Sequence, residues 1–173
     1  MEDPHIRPTQ KSVTCFIHYG DEYLFLERHK NKRVDPGKLN GVGGRIEPGE
    51  DYIACAVREI EEESGYKVLP DDLQFCGMVI FQEGFPEDWV AAFFKVEVPE
   101  KIIKDGTKTK DGTLRWIRKD QLLLQGDILV DDLHYCFNEI VEGKEIFFMN
   151  CDVDENIKMK RISKHTLKVV STK

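Results

Sequence analysis

Apolar and polar positions along the 173-residue chain fall into segments with recognisable periods. The stretch 12–19 is β-branched and aromatic, and the spacing predicts a strand. Gly20-Asp21-Glu22 reads as a turn, and 23–27 as a second strand closing a hairpin. Residues 31–44 carry Pro36 and several glycines and read as a loop. A helix is predicted over 51–64: Ile53, Val57 and Ile60 recur at helical spacing, and Gly65 stands at the C-terminal stop position. This spacing predicts that Ile53, Val57 and Ile60 face the core. Two paired strands are predicted over 73–82 and 89–98, around Gly84-Phe85-Pro86. A further strand is predicted over 113–117, a helix over 131–141 and a closing edge hairpin over 145–151 and 158–170. Strands, helix, strands, helix implies a mixed-sheet α/β (α+β) domain. No linker divides the chain, so 1–173 reads as one domain with a polar tail over 1–11.

Charge adds a local feature. The net charge is −7, from 25 Lys+Arg and 32 Asp+Glu, which argues against a broadly basic nucleic-acid or membrane-surface binder. The acids are concentrated: Glu47, Glu50, Asp51, Glu59, Glu61, Glu62 and Glu63 face only Arg45 and Arg58 between Gly44 and Tyr66. The stretch after Asn156 is basic and reads as an edge strand. No apolar run approaches a membrane span, and 1–11 has no apolar core of a secretory signal. The five cysteines are irregularly spaced without a C-x-x-C, so buried free thiols in a reducing, cytoplasmic compartment are expected. The five histidines lack zinc-ligand spacing.

On the predicted helix, Glu59, Glu62 and Glu63 stand at i, i+3 and i+4, so their carboxylates share a face. Like charges at that spacing destabilise a helix unless neutralised, and Mg²⁺ favours carboxylates, water and phosphate oxygens. The bland alternative is a solvated acidic face. Arg58 can reach Glu62 at i+4 or a loop acid such as Glu50, and a fixed guanidinium–carboxylate pair would orient the cluster. Gly43-Gly44 permits close backbone approach, so a main-chain carbonyl could join a metal shell.

The segment 44–66 resembles the signature of the Nudix hydrolases, G-x5-E-x7-R-E-U-x-E-E-x-G-U with U apolar. Gly44, Glu50, Arg58, Glu59, Glu62, Glu63 and Gly65 fill the fixed positions, Ile60 fits the first U, and Tyr66 replaces the usual aliphatic at the last. The resemblance implies an α/β/α sandwich with a mixed central sheet, and Mg²⁺- or Mn²⁺-dependent hydrolysis of a nucleoside diphosphate linked to another group. It assigns Glu59, Glu62, Glu63 and the Gly43 carbonyl as metal ligands, one of the acids activating water, and gives Glu50 the task of holding Arg58.

Outside the box, Leu39-Asn40-Gly41-Val42-Gly43-Gly44 resembles the W-N-G-F-G-G stretch of MutT-type enzymes, which act on oxidised purine triphosphates and whose Asn reads the base; a turn-holding Asn is the alternative. Phe81 would form a base-pocket wall. Trp89 would stack on a purine, or serve as a core tryptophan. Asp111-Gly-Thr-Leu-Arg-Trp116 resembles an E-x4-W stretch whose acid assists at the metal, here with a shorter side chain. Leu129-Val130-Asp131-Asp132 resembles W-P-D-D, whose paired acids contact the base; Leu129 replaces the stacking Trp, and the acids could equally cap a helix. Lys30, Lys32 and Arg33, with Arg28, form a small basic group before Asn40 that is either solvated or in contact with a phosphate.

The reading expected from these residues is a MutT-type pyrophosphohydrolase releasing a monophosphate and pyrophosphate. The alternatives are another Nudix substrate (ADP-ribose, a dinucleoside polyphosphate, an RNA 5′ end) or a non-catalytic nucleotide-binding domain. The expected partner is a small nucleotide, with no stable nucleic-acid or membrane partner, and the chain a monomer or homodimer.

Overall fold

A computed structural model describes residues 6–169. The elements run β1 (Thr9–Tyr19), β2 (Glu22–Arg28), β3 (Leu39–Asn40), β4 (Val42–Arg45), α1 (Tyr52–Ser64), β5 (Gln74–Glu83), β6 (Asp88–Glu97), β7 (Thr107–Lys108), β8 (Gly112–Arg118), α2 (Lys119–Leu122), α3 (Leu133–Glu142), β9 (Glu145–Val153) and β10 (Met159–Lys168). Among the described residues the strands form one sheet in the order β10-β9-β5-β6-β1-β2-β8-β7, with β3 on β2 and β4 on β1. The β1–β6 and β5–β9 pairs are parallel and the rest antiparallel, so the sheet is mixed. β10 is an edge, as its basic alternating sequence predicts. Val170, the end of the predicted hairpin, lies outside the described residues, as does part of the 1–11 tail.

The alternation of side chains along the strands sorts two cores onto opposite faces. Phe16, Phe25, Phe93 and Phe147 pack with Phe137 of α3 on one face. Phe137 lies edge-on to Tyr23 at 5.4 Å and to Phe16 at 6.3 Å. Cys15, Ile17, Leu24, Leu26, Ala92 and Phe94 pack with α1 on the other. The result is an α/β/α sandwich. All five cysteines are buried and free. Among the described residues no helix is long and apolar enough to cross a membrane.

Three expectations need correction. The strand predicted to start at residue 12 begins at Thr9, because β1 pairs with β6 from Thr9↔Asp88 onward. The loop predicted over 31–44 contains β3 and β4. Its glycines conceal the strands from a propensity reading, yet they are what permits the pairing: a Cβ on Gly43 would overlap the Val13 carbonyl oxygen, and one on Gly41 would lie 2.7 Å from the Cys15 oxygen. Finally, α1 is rotated from the expected face. Ile53 is 37% exposed and Val57 is half-buried, while Cys55, Ala56, Glu59 and Ile60 are buried. The small side chains let the helix sit close to β4, and the docking stripe therefore includes an acid.

β1 splits its partners. Its Ile17–Tyr19 end pairs with β2, whereas Ser12 to Cys15 pair with β4. Meanwhile Leu26 and Glu27 of β2 pair with β3. Residues 39–45 thus wedge β1 and β2 apart, and the fork positions the site.

Candidate active site

Asp51 opens α1 by accepting the Ala54 N–H (2.8 Å), and Gly65 closes it in the left-handed region (φ 77°), donating to the Glu61 carbonyl (2.8 Å). The helix presents Arg58 as a hub. Its Nε and Nη2 donate to Glu50 Oε1 and Oε2 at 2.6 and 3.0 Å, a bidentate pair. Nη1 donates to Glu59 Oε1 (2.8 Å) and Glu62 Oε2 (3.2 Å), and Nη2 to the Arg45 carbonyl (3.1 Å). Both partners suggested by the sequence are engaged at once. The Arg58 hydrogen bonds hold the Glu50 carboxyl down at about 2, and Glu50 in turn raises Arg58.

The three helix acids do not lie opposite the docking stripe; they straddle its border. Glu59 is 8% exposed and lies on Gly44, whose missing Cβ leaves room for its carboxylate. Glu62 is exposed. Glu63 Oε2 accepts the Gly43 N–H at 2.8 Å. Neighbouring carbonyl and N–H of one strand residue point the same way, so the Gly43 carbonyl also turns from β1 toward α1. Burial raises Glu59. Burial likewise pushes Glu63 up to about 7; the Gly43 amide pulls back, and the charges of Glu59 and Asp111 add to the rise.

Among the described residues no three His, Cys, Asp or Glu side chains already converge as a metal cage. The hydrogen bonds explain why: Arg58 stands between Glu59 and Glu62, and Glu63 is turned onto an amide. The donor chemistry still suits a hard cation. All candidate ligands are oxygens, and two of the carboxyls are raised by burial and mutual repulsion, a strain that a divalent ion relieves. Asp111, the other sequence candidate for the metal, is paired with Lys32 Nζ (2.6 Å), which holds its carboxyl below the usual range. Lys32 is therefore neither simply solvated nor free. Asp111 remains near enough for its charge to bear on Glu63.

A cleft of about 360 Å³ opens at the fork. Gly43 and Glu63 line it together with Asn40, Phe81, Trp89, Asp131 and Asp132. Every base-contact candidate named from the sequence lines this one cleft. Asn40 Oδ1 accepts the Gly41 N–H (2.8 Å), so it holds the turn and keeps its amide donors free. Trp89 is a wall residue and not a core tryptophan. Arg45 sits over its ring at 4.7 Å, Phe85 lies 6.2 Å away, and its buried Nε1 has no partner among the described residues. Leu129 is fully buried and pairs with Leu39 inside the core, so the aromatic wall comes from β5 and β6 instead. Asp131 is already engaged, with Lys38 Nζ at 2.9 Å and the Met159 N–H at 3.5 Å. Asp132 begins α3 without a side-chain cap hydrogen bond, although the Asp132 and Leu133 amides face its carboxyl and hold back its rise. It is 6% exposed, and burial, reinforced by the charge of Asp35, pushes its carboxyl up to about 7.

Sequence reasoning missed Asp35, Phe85 and Met159 as cleft residues. Asp35 was within reach of that reasoning, being an acid beside Pro36-Gly37 on the loop leading to Asn40. Met159 was not, because the β9–β10 turn meets the cleft only through the tertiary fold.

The family profile described as NUDIX domain matches residues 8–135, which spans β1 through the start of α3. The chain belongs to the Nudix family. Within this Nudix chain the matched residues carry the whole Arg58 hub and most of the cleft. A NAD-capped RNA hydrolase (NudC) of Stutzerimonas stutzeri is 27% identical over 121 residues, 69% of this chain and 39% of that protein. A Bacillus subtilis protein provisionally named an 8-oxo-dGTP diphosphatase is 28% identical over 116 residues, 67% of this chain and 70% of that one. The chain spans less than two fifths of the length of the NAD-capped RNA hydrolases it matches. Among solved structures, a mutator MutT protein from Bacillus halodurans shares the fold with a TM-score of 0.73 at 20% identity, covering 91% of this chain and 97% of that one.

Proposed function

We propose that this Nudix chain is a Mg²⁺- or Mn²⁺-dependent pyrophosphohydrolase that cleaves a nucleoside triphosphate, including oxidised purine forms such as 8-oxo-dGTP, to the monophosphate and pyrophosphate. The observation that carries the reading is the continuity of the cleft: aromatic walls, the Asn40 amide and the Asp131-Asp132 acids line the same space as Gly43 and Glu63. Glu59, Glu62, Glu63 and the Gly43 carbonyl would hold the cation. When bound, it would neutralise the polyphosphate and lower the pKa of an attacking water. Arg58 orients Glu59 and Glu62, and Glu50 fixes Arg58. Phe81 and Trp89 supply apolar faces for a base, and the free Asn40 amide donors meet an acceptor on its edge. The Bacillus subtilis relative supports this substrate class.

The test is turnover of a panel: common nucleoside triphosphates, 8-oxo-purine triphosphates, ADP-ribose, NAD and a dinucleoside tetraphosphate, scored for pyrophosphate against phosphate. Preferred turnover of a triphosphate with pyrophosphate release is expected, abolished by EDTA and lowered by about 10²-fold or more in Glu63→Gln. Preference for NAD or ADP-ribose would transfer the reading to another Nudix substrate. Tight nucleotide binding without cleavage would make this a binding domain.

A further inference from the structure

Asp35 has no role in the reading above, yet its placement is deliberate. It is a non-glycine residue in the left-handed region, with φ 48°, a conformation Asp tolerates at a cost. The loop around it is clamped: Lys38 N–H donates to the Asp35 carbonyl (3.1 Å), Gly37 N–H to the Arg28 carbonyl (3.1 Å), and Arg28 Nε to the Val34 carbonyl (3.0 Å). These bonds use only backbone oxygens. The Asp35 carboxyl itself has no hydrogen-bond partner among the described residues, and it lines the cleft beside Asp131 and Asp132.

The three acids are not equivalent. Asp131 is occupied by Lys38 and the Met159 N–H, so it ties the loop, the start of α3 and the β9–β10 turn together. Asp35 and Asp132 are the carboxyls without a side-chain donor. The charged groups facing them are Asp131, Lys38, which is already bound to it, and Arg28 from β2.

We propose that Asp35 is a specificity-determining residue, forming with Asp132 the polar end of the cleft that reads the edge of a purine base, while Asp131 is a positioning residue. The assignment rests on the base-binding reading of the cleft given above. Asp132 is buried and Asp35 half-buried in the same cleft, two carboxyls so placed resist ionising together, and desolvation raises each of them. A pair of carboxyls that shares one proton offers a donor beside an acceptor. Its complement is a heterocycle edge with an N–H next to a carbonyl, which a purine of the guanine or oxopurine type carries.

The experiment measures kcat/KM for a guanine-type triphosphate and a pyrimidine triphosphate between pH 6 and 8, in wild type, Asp35→Asn, Asp35→Gly and Asp131→Asn. The ratio of the two nucleotides cancels whatever they share at the metal end. In wild type the ratio should favour the purine and fall as the pH rises. Asp35→Asn keeps the shape and the left-handed tolerance; it should cut the ratio about tenfold through KM, with kcat within about threefold, and flatten its pH dependence. Asp35→Gly relieves the backbone and should lose the ratio without losing thermal stability. Asp131→Asn should lower stability and both nucleotides alike. An unchanged ratio in both Asp35 variants overturns the assignment, as does a ratio that follows Asp131 alone. A wild-type enzyme that cleaves both nucleotides equally would instead overturn the base-binding reading from which the proposal starts.

Discussion

Gly44→Ala should silence the enzyme while leaving its fold intact, whereas Gly43→Ala, one residue away, should damage the fold itself. The added Cβ at position 44 would overlap Glu59 Oε1 and come within 2.7 Å of Glu59 Cδ. Comfortable carbon–carbon contact is about 3.5 Å, so the carboxylate must retreat by about 1 Å. That retreat loosens the 2.8 Å bond from Arg58 and moves a candidate ligand out of register. A displacement of this size at a reacting centre costs about 10²-fold in kcat. Stability should change little. Position 44 has no left-handed requirement, the moving group is a side-chain end, and replacing glycine stiffens the unfolded chain by about 0.4–1 kcal/mol in favour of folding. At position 43 the same methyl meets the backbone of Val13 and Thr14, which cannot move without unpairing β4 from β1. Pyrophosphate release and thermal melting of both variants decide the matter. Wild-type turnover in Gly44→Ala, or a melting loss matching that of Gly43→Ala, would refute the claim that Gly44 exists to seat Glu59.

Two pH-dependent outcomes follow from the carboxyls. Glu50 is held at about 2 in the fold against roughly 4.3 unfolded, so its contribution to stability is present above the unfolded value and disappears as the pH falls toward 2. The melting difference between wild type and Glu50→Gln should therefore be clear at pH 6 and vanish near pH 2; a difference constant with pH would remove the ion-pair explanation. Asp132 has the opposite sign. Its carboxyl is raised to about 7 against roughly 3.9 unfolded, so folding loses stability as the pH climbs between those values. Asp132→Asn should therefore stabilise the protein at pH 8 by about 2–4 kcal/mol and far less at pH 4, read by denaturant melts. A destabilised variant at pH 8 would mean that the ionised carboxylate has a partner in the fold.

The box helix was legible because its signals are local. Asp51 and Gly65 mark its ends, and Arg58 reaches its partners through spacings set by one helix and one short turn. The convergence of Asn40, Phe81, Trp89 and the Asp131-Asp132 pair was visible only through the family resemblance, since they come from four separate segments. What stayed hidden depends on tertiary neighbours. The exposed Ile53 and the buried Glu59 follow from how closely α1 approaches β4, and helical periodicity alone prefers the opposite rotation. Residues 39–45 look like a loop because glycine lacks strand propensity, although close strand contact demands it. Asp131 reads as half of a pair until Lys38 and Met159 are seen to occupy it.

The wedge of residues 39–45 also works as a gauge. Asn40 and Gly43 are three residues apart on a nearly extended segment, which at roughly 3.3 Å per residue separates them by about 10 Å. Asn40 is anchored by pairing with Leu26 and Gly43 by pairing with Thr14, so neither end can slide. On the proposed reading, the distance between the point where a base is sensed and the point where the anhydride is cut is thus written into covalent bonds and strand register, not into the reach of flexible side chains. A ligand would then be measured as well as recognised: one too short or too long for that fixed interval would present the wrong bond to Glu63, however well its base fits.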